Sequence, residues 1–142
     1  ITEGLVGSEM CIRDSNLIVM DQKTITLNKG EYVFCSIKDI NDINMIDIVS
    51  SFKESEGYSI IISKEEAIKN SLHFYFVSAW ITLEINSSLD SIGLTSAFSK
   101  ELTEAGISCN VLAGYHHDHI FVPYHKKAKA MKILGDLFTS KK

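Results

Sequence analysis

The sequence predicts an α+β fold in which two α/β units set their helices on one face of an antiparallel sheet. Three observations carry that reading. Apolar and polar residues alternate strictly where Ile81, Leu83 and Ile85 are interleaved with Thr82, Glu84 and Asn86, the mark of a strand with one face on a core. Next, Leu94, Ala97, Phe98, Leu102 and Ala105 fall on one helical face, and Gly106 supplies a stop. Finally, no Ser/Gly-rich linker separates the halves, and no proline interrupts the chain before Pro123. The units are therefore packed together, not strung apart.

Residues 1–15 stand outside this pattern. They hold the only arginine, Arg13, whereas the remainder uses lysine for every fixed cation and is rich in Ile, Lys and Asn. The stretch 5–15, LVGSEMCIRDS, resembles a translated sequencing adapter, so residues 1–15 read as a non-native tail. Residues 17–27 show no clean period and read as a short helix or an irregular lead-in. Asn28-Lys29-Gly30 is a turn signal, and residues 31–37 form a strand by their β-branched and aromatic content. Residues 39–44 are polar and turn-like. Met45, Ile46, Val49 and Phe52 recur at helical spacing and predict a helix that ends before Gly57. A strand over 58–62 follows. Ser63 to Glu66 is a capping box opening a short helix to about Asn70. Residues 73–85 are strand-like throughout, as one strand or as two meeting near Ala79.

After the helix that starts near Leu94, the residues Ile107, Cys109, Val111 and Ala113 alternate as a strand. A turn at 114–117 leads into a strand at 119–122. Ala130, Met131, Leu134, Leu137 and Phe138 then make a final amphipathic helix. The second half thus reads β-α-β-β-α. One further strand comes either from a neighbouring chain or from the first half.

The chain of 142 residues, 45% apolar and 23% charged, is long enough to bury a real core. A formal charge of −4 leaves no electrostatic footprint for nucleic acid or anionic lipid. No apolar run approaches the roughly 18 residues of a membrane span. The expectation is a cytoplasmic protein that binds neither nucleic acid nor membrane. Cys11, Cys35 and Cys109 are too scattered for a disulfide framework or a zinc ribbon, and Cys35 and Cys109 lie in apolar strands as structural thiols. No P-loop, dinucleotide glycine pattern or nucleophile elbow occurs. The expectation is no catalytic residue, no metal and no cofactor.

The run WITLE at 80–84 followed by SSLDSIGLT at 87–95 resembles the opening of an ACT domain. The continuation AGISCNVLAGYHHDHIFVP at 105–123 is similar to one branch of that family. That branch is the small stand-alone bacterial ACT proteins, related to the ACT domains of the arginine-sensing CASTOR proteins and of aspartate kinases. GEYVFCS at 30–36 resembles the amino-terminal module of the same proteins. The resemblance covers about residues 27–138 and implies two ferredoxin-like modules of βαββαβ type, at 16–79 and 80–142. It also implies an allosteric, regulatory protein that binds a small ligand, usually an amino acid, without catalysis. The ligand residues so implied are Ser87, Ser88, Leu89, Ile92, Gly93, Leu94 and Thr95, closed over by Asn110, Val111, Ala113 and His117. A strand-to-helix loop suits that task, because helix-start N–H groups are unpaired and the dipole there favours a carboxylate. Gly93 either lets a ligand approach the backbone or merely permits helix packing.

Other readings compete. His117 and His119 are two apart, so on a strand they project from one face as a pair of metal ligands, but no third ligand sits at a recognised spacing. The bland alternative is a polar hairpin tip turned by Asp118. A metal-assisted hydrolase built on His116, His117 and His119, or a module that only pairs with other ACT domains, are the alternatives to a ligand sensor. Open sheet edges at 107–113 and 120–122 carry few charges, and Trp80 lies near the junction of the halves as an anchor. These features predict a homodimer; the alternative is a monomer whose halves satisfy each other.

Overall fold

In the computed structural model, which describes residues 25–44, 47–84 and 93–139, each half of the chain lays strands into one shared sheet. The strands are β1 (Ile25–Leu27), β2 (Tyr32–Ile37), β3 (Ile48–Glu54), β4 (Gly57–Ser63), β5 (Val77–Leu83), β6 (Asn110–Ala113) and β7 (Asp118–Pro123). The α-helices are α1 (Lys64–Lys69), α2 (Leu94–Glu104) and α3 (Lys127–Thr139), and short 3-10 turns lie at Ile40–Asp42 and Tyr124–Lys126. The architecture is α+β with an antiparallel sheet, as the sequence predicts.

The sheet order is β3-β4-β2-β5-β7-β6, with β1 pairing β5 as well. The order β3-β4-β2-β5 of the first unit recurs as β6-β7-β5-β1 in the second, so β5 serves both. Its first residues, Val77 and Ser78, pair with Val33 and Tyr32 of β2. Its last, Ile81 to Leu83, pair with Leu27 to Ile25 of β1. The further strand that the second half lacks is therefore supplied by the first half of the same chain. Asn28 makes this arrangement possible at the step between β1 and β2. Its backbone N–H donates to the Trp80 carbonyl at 2.9 Å, and its Nδ2 donates to Thr82 Oγ1 at 2.9 Å. Gly30, with φ of +103°, then turns the chain on to β2.

Two hydrophobic clusters lie on the helix-bearing face. Val33, Cys35, Ile37, Ile60, Ile62 and Ala67 form the first. Ala79, Ile81, Leu83, Phe98, Leu102 and Leu134 anchor the second, with Ile120, Val122 and Phe138 around them. Helix α1 starts as predicted, Ser63 Oγ accepting from the Glu66 N–H at 3.1 Å. Helix α2 ends at Gly106 (φ +75°), where Gly106 N–H bonds the Thr103 carbonyl and Ile107 N–H bonds that of Leu102. That pair of bonds is a Schellman closure, and it brings buried Ile107 back against buried Leu102.

Several local expectations fail. The helix predicted from Met45 is, over its described part, strand β3, paired with β4 from Ile48↔Ile62 to Glu54↔Gly57, while Met45 and Ile46 lie outside the described residues. Gly57, with φ of +142°, closes a tight hairpin there rather than a helix, and Phe52 is 68% exposed because its strand is an outer one. Leu27 and its neighbours are strand, not helix. Of the strand-like run 73–85, residues 73–76 have no regular structure, β5 spans Val77–Leu83, and Ile85 lies outside the described residues. Residues 107–109 precede β6 rather than belonging to it, and Ala97 is exposed on α2. Residues 120–122 are no open edge, since β7 is flanked by β5 and β6. Residues 1–15, with Cys11 and the adapter-like stretch, lie outside the described residues. Among the described residues no helix is long and apolar enough to cross a membrane.

Candidate functional site

Gly93 is the N-cap of α2 and holds φ of +97°, a left-handed conformation that favours glycine. Its carbonyl accepts the first helical bond, from Ala97 N–H at 3.0 Å. A Cβ added at Gly93 would meet nothing within 4 Å among the described residues, so the left-handed backbone conformation accounts for the glycine there. Among the described residues no side chain caps α2, and its first turn holds no acidic residue, so the positive end of its dipole is not offset from within the turn. Leu94 packs against the second core cluster and Thr95 is exposed. The predicted Ser87, Ser88, Leu89 and Ile92 lie outside the described residues.

The predicted partners on the following strand are spread along β6. Ala113 pairs with Asp118 at the end where β5 finishes in Leu83, whereas Asn110 pairs with Phe121 three residues away. That is about 10 Å along the strand, so Asn110 and Ala113 face different ends of the sheet. Val111 is 38% exposed and His117 is exposed. Strand β6 forms one edge of the sheet, and its four residues carry no charge. The β6–β7 hairpin needs Gly114: its N–H donates to the His117 carbonyl at 2.9 Å, and a Cβ would lie 2.9 Å from that same oxygen.

On the helix-free face, His119 joins a network that the sequence does not disclose as a unit. Trp80 Nε1–H donates to His119 Nδ1 at 3.0 Å, and Thr82 Oγ1 lies 3.1 Å from the same nitrogen. An indole nitrogen only donates, so Nδ1 is unprotonated and the imidazole is neutral with its proton on Nε2. Burial lowers the His119 pKa below the ordinary histidine value, with a further lowering by His117 and an opposing pull from Asp118. Thr82 Oγ1 in turn accepts from Asn28, which links β1, β5 and β7. The signal available in the sequence was alternation, since Trp80 and Thr82 on β5 stand opposite Phe121 and His119 on β7.

Nucleophilic chemistry finds no support. Burial pushes the Cys109 thiol up to about 11 and raises that of Cys35, so both stay protonated at neutral pH. Cys109 is half-buried rather than fully enclosed. Among the described residues no group of three His, Cys, Asp or Glu side chains is placed to hold a metal ion, and His119 turns one ring nitrogen to Trp80.

The ACT domain family matches residues 20–79 and again residues 76–136. The two matches meet at the start of β5, the strand both units share. A Vibrio cholerae protein of unknown function, described as a possible transport protein, is 38% identical, with a TM-score of 0.75 over 84% of this chain and 92% of its own. The Clostridium acetobutylicum aspartate kinase shares the fold at 12% identity, with a TM-score of 0.63 over 82% of this chain and 34% of its own. The regulatory subunit of aspartate kinase from Thermus thermophilus does so at 8% identity, with a TM-score of 0.58 over 80% of this chain and 96% of its own. No curated protein matches the chain.

Proposed function

The chain belongs to the ACT-domain family, and from that premise we propose that it is a regulatory protein, without catalysis of its own, that binds a free amino acid at the start of α2. The observation that carries this reading is Gly93: a left-handed glycine with open space beside it and a helix start without a side-chain cap, both among the described residues. A ligand carboxylate there gains the helix-start N–H groups and the dipole. Thr95 and the serines Ser87 and Ser88 supply hydroxyls, Leu89, Ile92 and Leu94 apolar contact. Ala113, Val111 and His117 on the neighbouring hairpin close the amino-group side. Asn110 belongs to this site only if a second chain brings its own β6 across, which is the role the uncharged edge of β6 fits. On this reading two copies pair as a homodimer, each with two modules that exchange β1 and share β5 instead of dividing cleanly at 16–79 and 80–142. Occupancy then alters the geometry of the pair through its differential affinity for the two states.

A calorimetric screen of the twenty amino acids tests the proposal. One or a few should bind saturably, and Gly93→Asp, which sets a fixed carboxylate at the helix start, should abolish that binding. An absence of binding by all twenty overturns the reading. Sedimentation over a wide concentration range, with and without the amino acid, tests the assembly; a monomer throughout removes the interfacial site.

A further inference from the structure

We propose that a cavity on the seam between the two units is a second ligand site, one that takes a neutral planar heteroaromatic ring of the nucleobase kind. The cavity measures about 270 Å³ and is lined by Phe34, Tyr75, Phe76, Ser108 and Asn110. Phe34 comes from β2 of the first unit; Asn110 opens β6 in the second, and Ser108 lies just ahead of that strand. This is the Asn110 end of β6, about 10 Å of strand away from Ala113 and the α2 site. Asn110 is the one residue this cavity would share with an amino-acid site built between two chains; Phe34, Tyr75, Phe76 and Ser108 belong to the cavity alone, so the inference does not depend on that site.

The walls define the chemistry of the occupant. Phe34 and Phe76 lie with ring centroids 6.0 Å apart and planes tilted at 44°, and Tyr75 stands at the mouth 93% exposed. A tyrosine so exposed beside two half-buried phenylalanines contributes nothing to the core, and its ring is available for a flat ligand to stack on. The lining holds no charged side chain, so it offers no ion pair to compensate the desolvation of a carboxylate, an ammonium or a phosphate. The Ser108 hydroxyl and the Asn110 carboxamide do present both a donor and an acceptor. Asn110 is weakly committed: its Nδ2 reaches the Phe121 carbonyl only at 3.5 Å. An asparagine amide matches the paired donor and acceptor on the edge of adenine. The volume lies just below the usual range for small-molecule pockets and suits a bare ring system rather than a nucleotide with its phosphates.

The fold also supplies a reporter. Phe34 meets Phe121 edge-on at 5.5 Å, and Phe121 stacks on Trp80 at 6.1 Å with an 18° interplanar angle. Trp80 is the only tryptophan in the chain. A ring seated against Phe34 therefore perturbs one fluorophore through two ring contacts.

Titration of the full chain with adenine, followed by calorimetry and by Trp80 emission, is the test. The expected result is saturable binding that weakens roughly tenfold in Tyr75→Ala, the scale of one lost stacking contact, and similarly in Asn110→Leu. Both residues are exposed, so the urea midpoints of these variants should match that of the parent and a folding defect cannot mimic the loss. Gly93→Asp should leave adenine binding unchanged. Adenine that does not saturate, binds both variants as tightly as the parent, or is lost in Gly93→Asp overturns the proposal. Self-association that disappears in Tyr75→Ala without any adenine effect assigns the patch to a second copy of the chain, and overturns it too.

Discussion

In the first unit the sheet is covered by a 3-10 turn at Ile40–Asp42 and the six-residue α1, whereas in the second it is covered by α2 and α3 of 11 and 13 residues. The difference shows in the cores. The first cluster draws one buried residue, Ala67, from its α-helix and the rest mainly from β2 and β4. The second draws Phe98, Leu102, Ala130, Leu134 and Phe138 from its two helices. Strand length runs the other way, since β3 and β4 have seven residues each and β6 has four. A long hairpin stabilises the first unit through its backbone ladder, and the second depends on side chains at the helix–sheet interface. The helix start that the proposed function uses lies in the second unit; α1 of the first has its start capped by Ser63 and offset by Glu65 and Glu66.

Core truncation should expose that contrast most strongly. Phe98→Ala empties a fully buried position between α2 and the sheet and should cost about 3–5 kcal/mol, read from urea unfolding. Ile60→Val, at a buried position in the first unit, should cost only about 1 kcal/mol. Equal losses, for a whole ring removed at one site and one methylene at the other, would show that the core around Phe98 collapses into the space left and that α2 is not rigidly packed.

Glycines sharpen the comparison next. A Cβ at Gly57 would lie 2.5 Å from the Ile37 carbonyl oxygen, on a backbone already at φ +142°, so Gly57→Ala should cost roughly 1–3 kcal/mol or more. Gly93→Ala meets open space and should cost about 1 kcal/mol from its backbone conformation alone. A loss at Gly93 as large as at Gly57 would show that the α2 start is packed against something.

The two helix starts differ in the same sense. Ser63→Ala removes the cap of α1 and should cost about 1 kcal/mol in the denaturation midpoint. Helix α2 has no such side chain to lose among the described residues.

The smallest effect should be the pH response of the seam. His119 has its folded pKa below the unfolded value of about 6.5. The unfolded chain therefore binds more protons near that pH, so stability is at its full value above it and declines as pH falls toward the folded pKa. Urea midpoints between pH 7.5 and 5 should fall less steeply in His119→Gln than in the parent. Identical slopes would show that the Trp80–His119 bond does not couple protonation to folding.

The order of elements in the second half, the stop at Gly106, the cap at Ser63 and the apolar faces of α2 and α3 were legible in the sequence. Each is a local matter, set by turn chemistry or by a period within ten or so residues. Gly93 was legible as a candidate for the same reason. The stretch from Met45 was misread because its apolar spacing fits a helix as well as an outer strand. Only the β4 hairpin partner and the glycine at 57 decide between them.

What the amino-acid sequence determined by itself was the α+β class, the family resemblance and the helix start that the proposed function uses. Tertiary structure alone decided that three residues at 25–27 close the second unit and that β5 serves two units at once. It alone decided that Asn28, Thr82, Trp80 and His119 form one network, and that Phe34 faces Asn110 across the seam. The physical reason is separation along the chain. Strand pairing and side-chain meeting across a sheet link residues dozens of positions apart, where no local period or turn signal records which strand will be the neighbour.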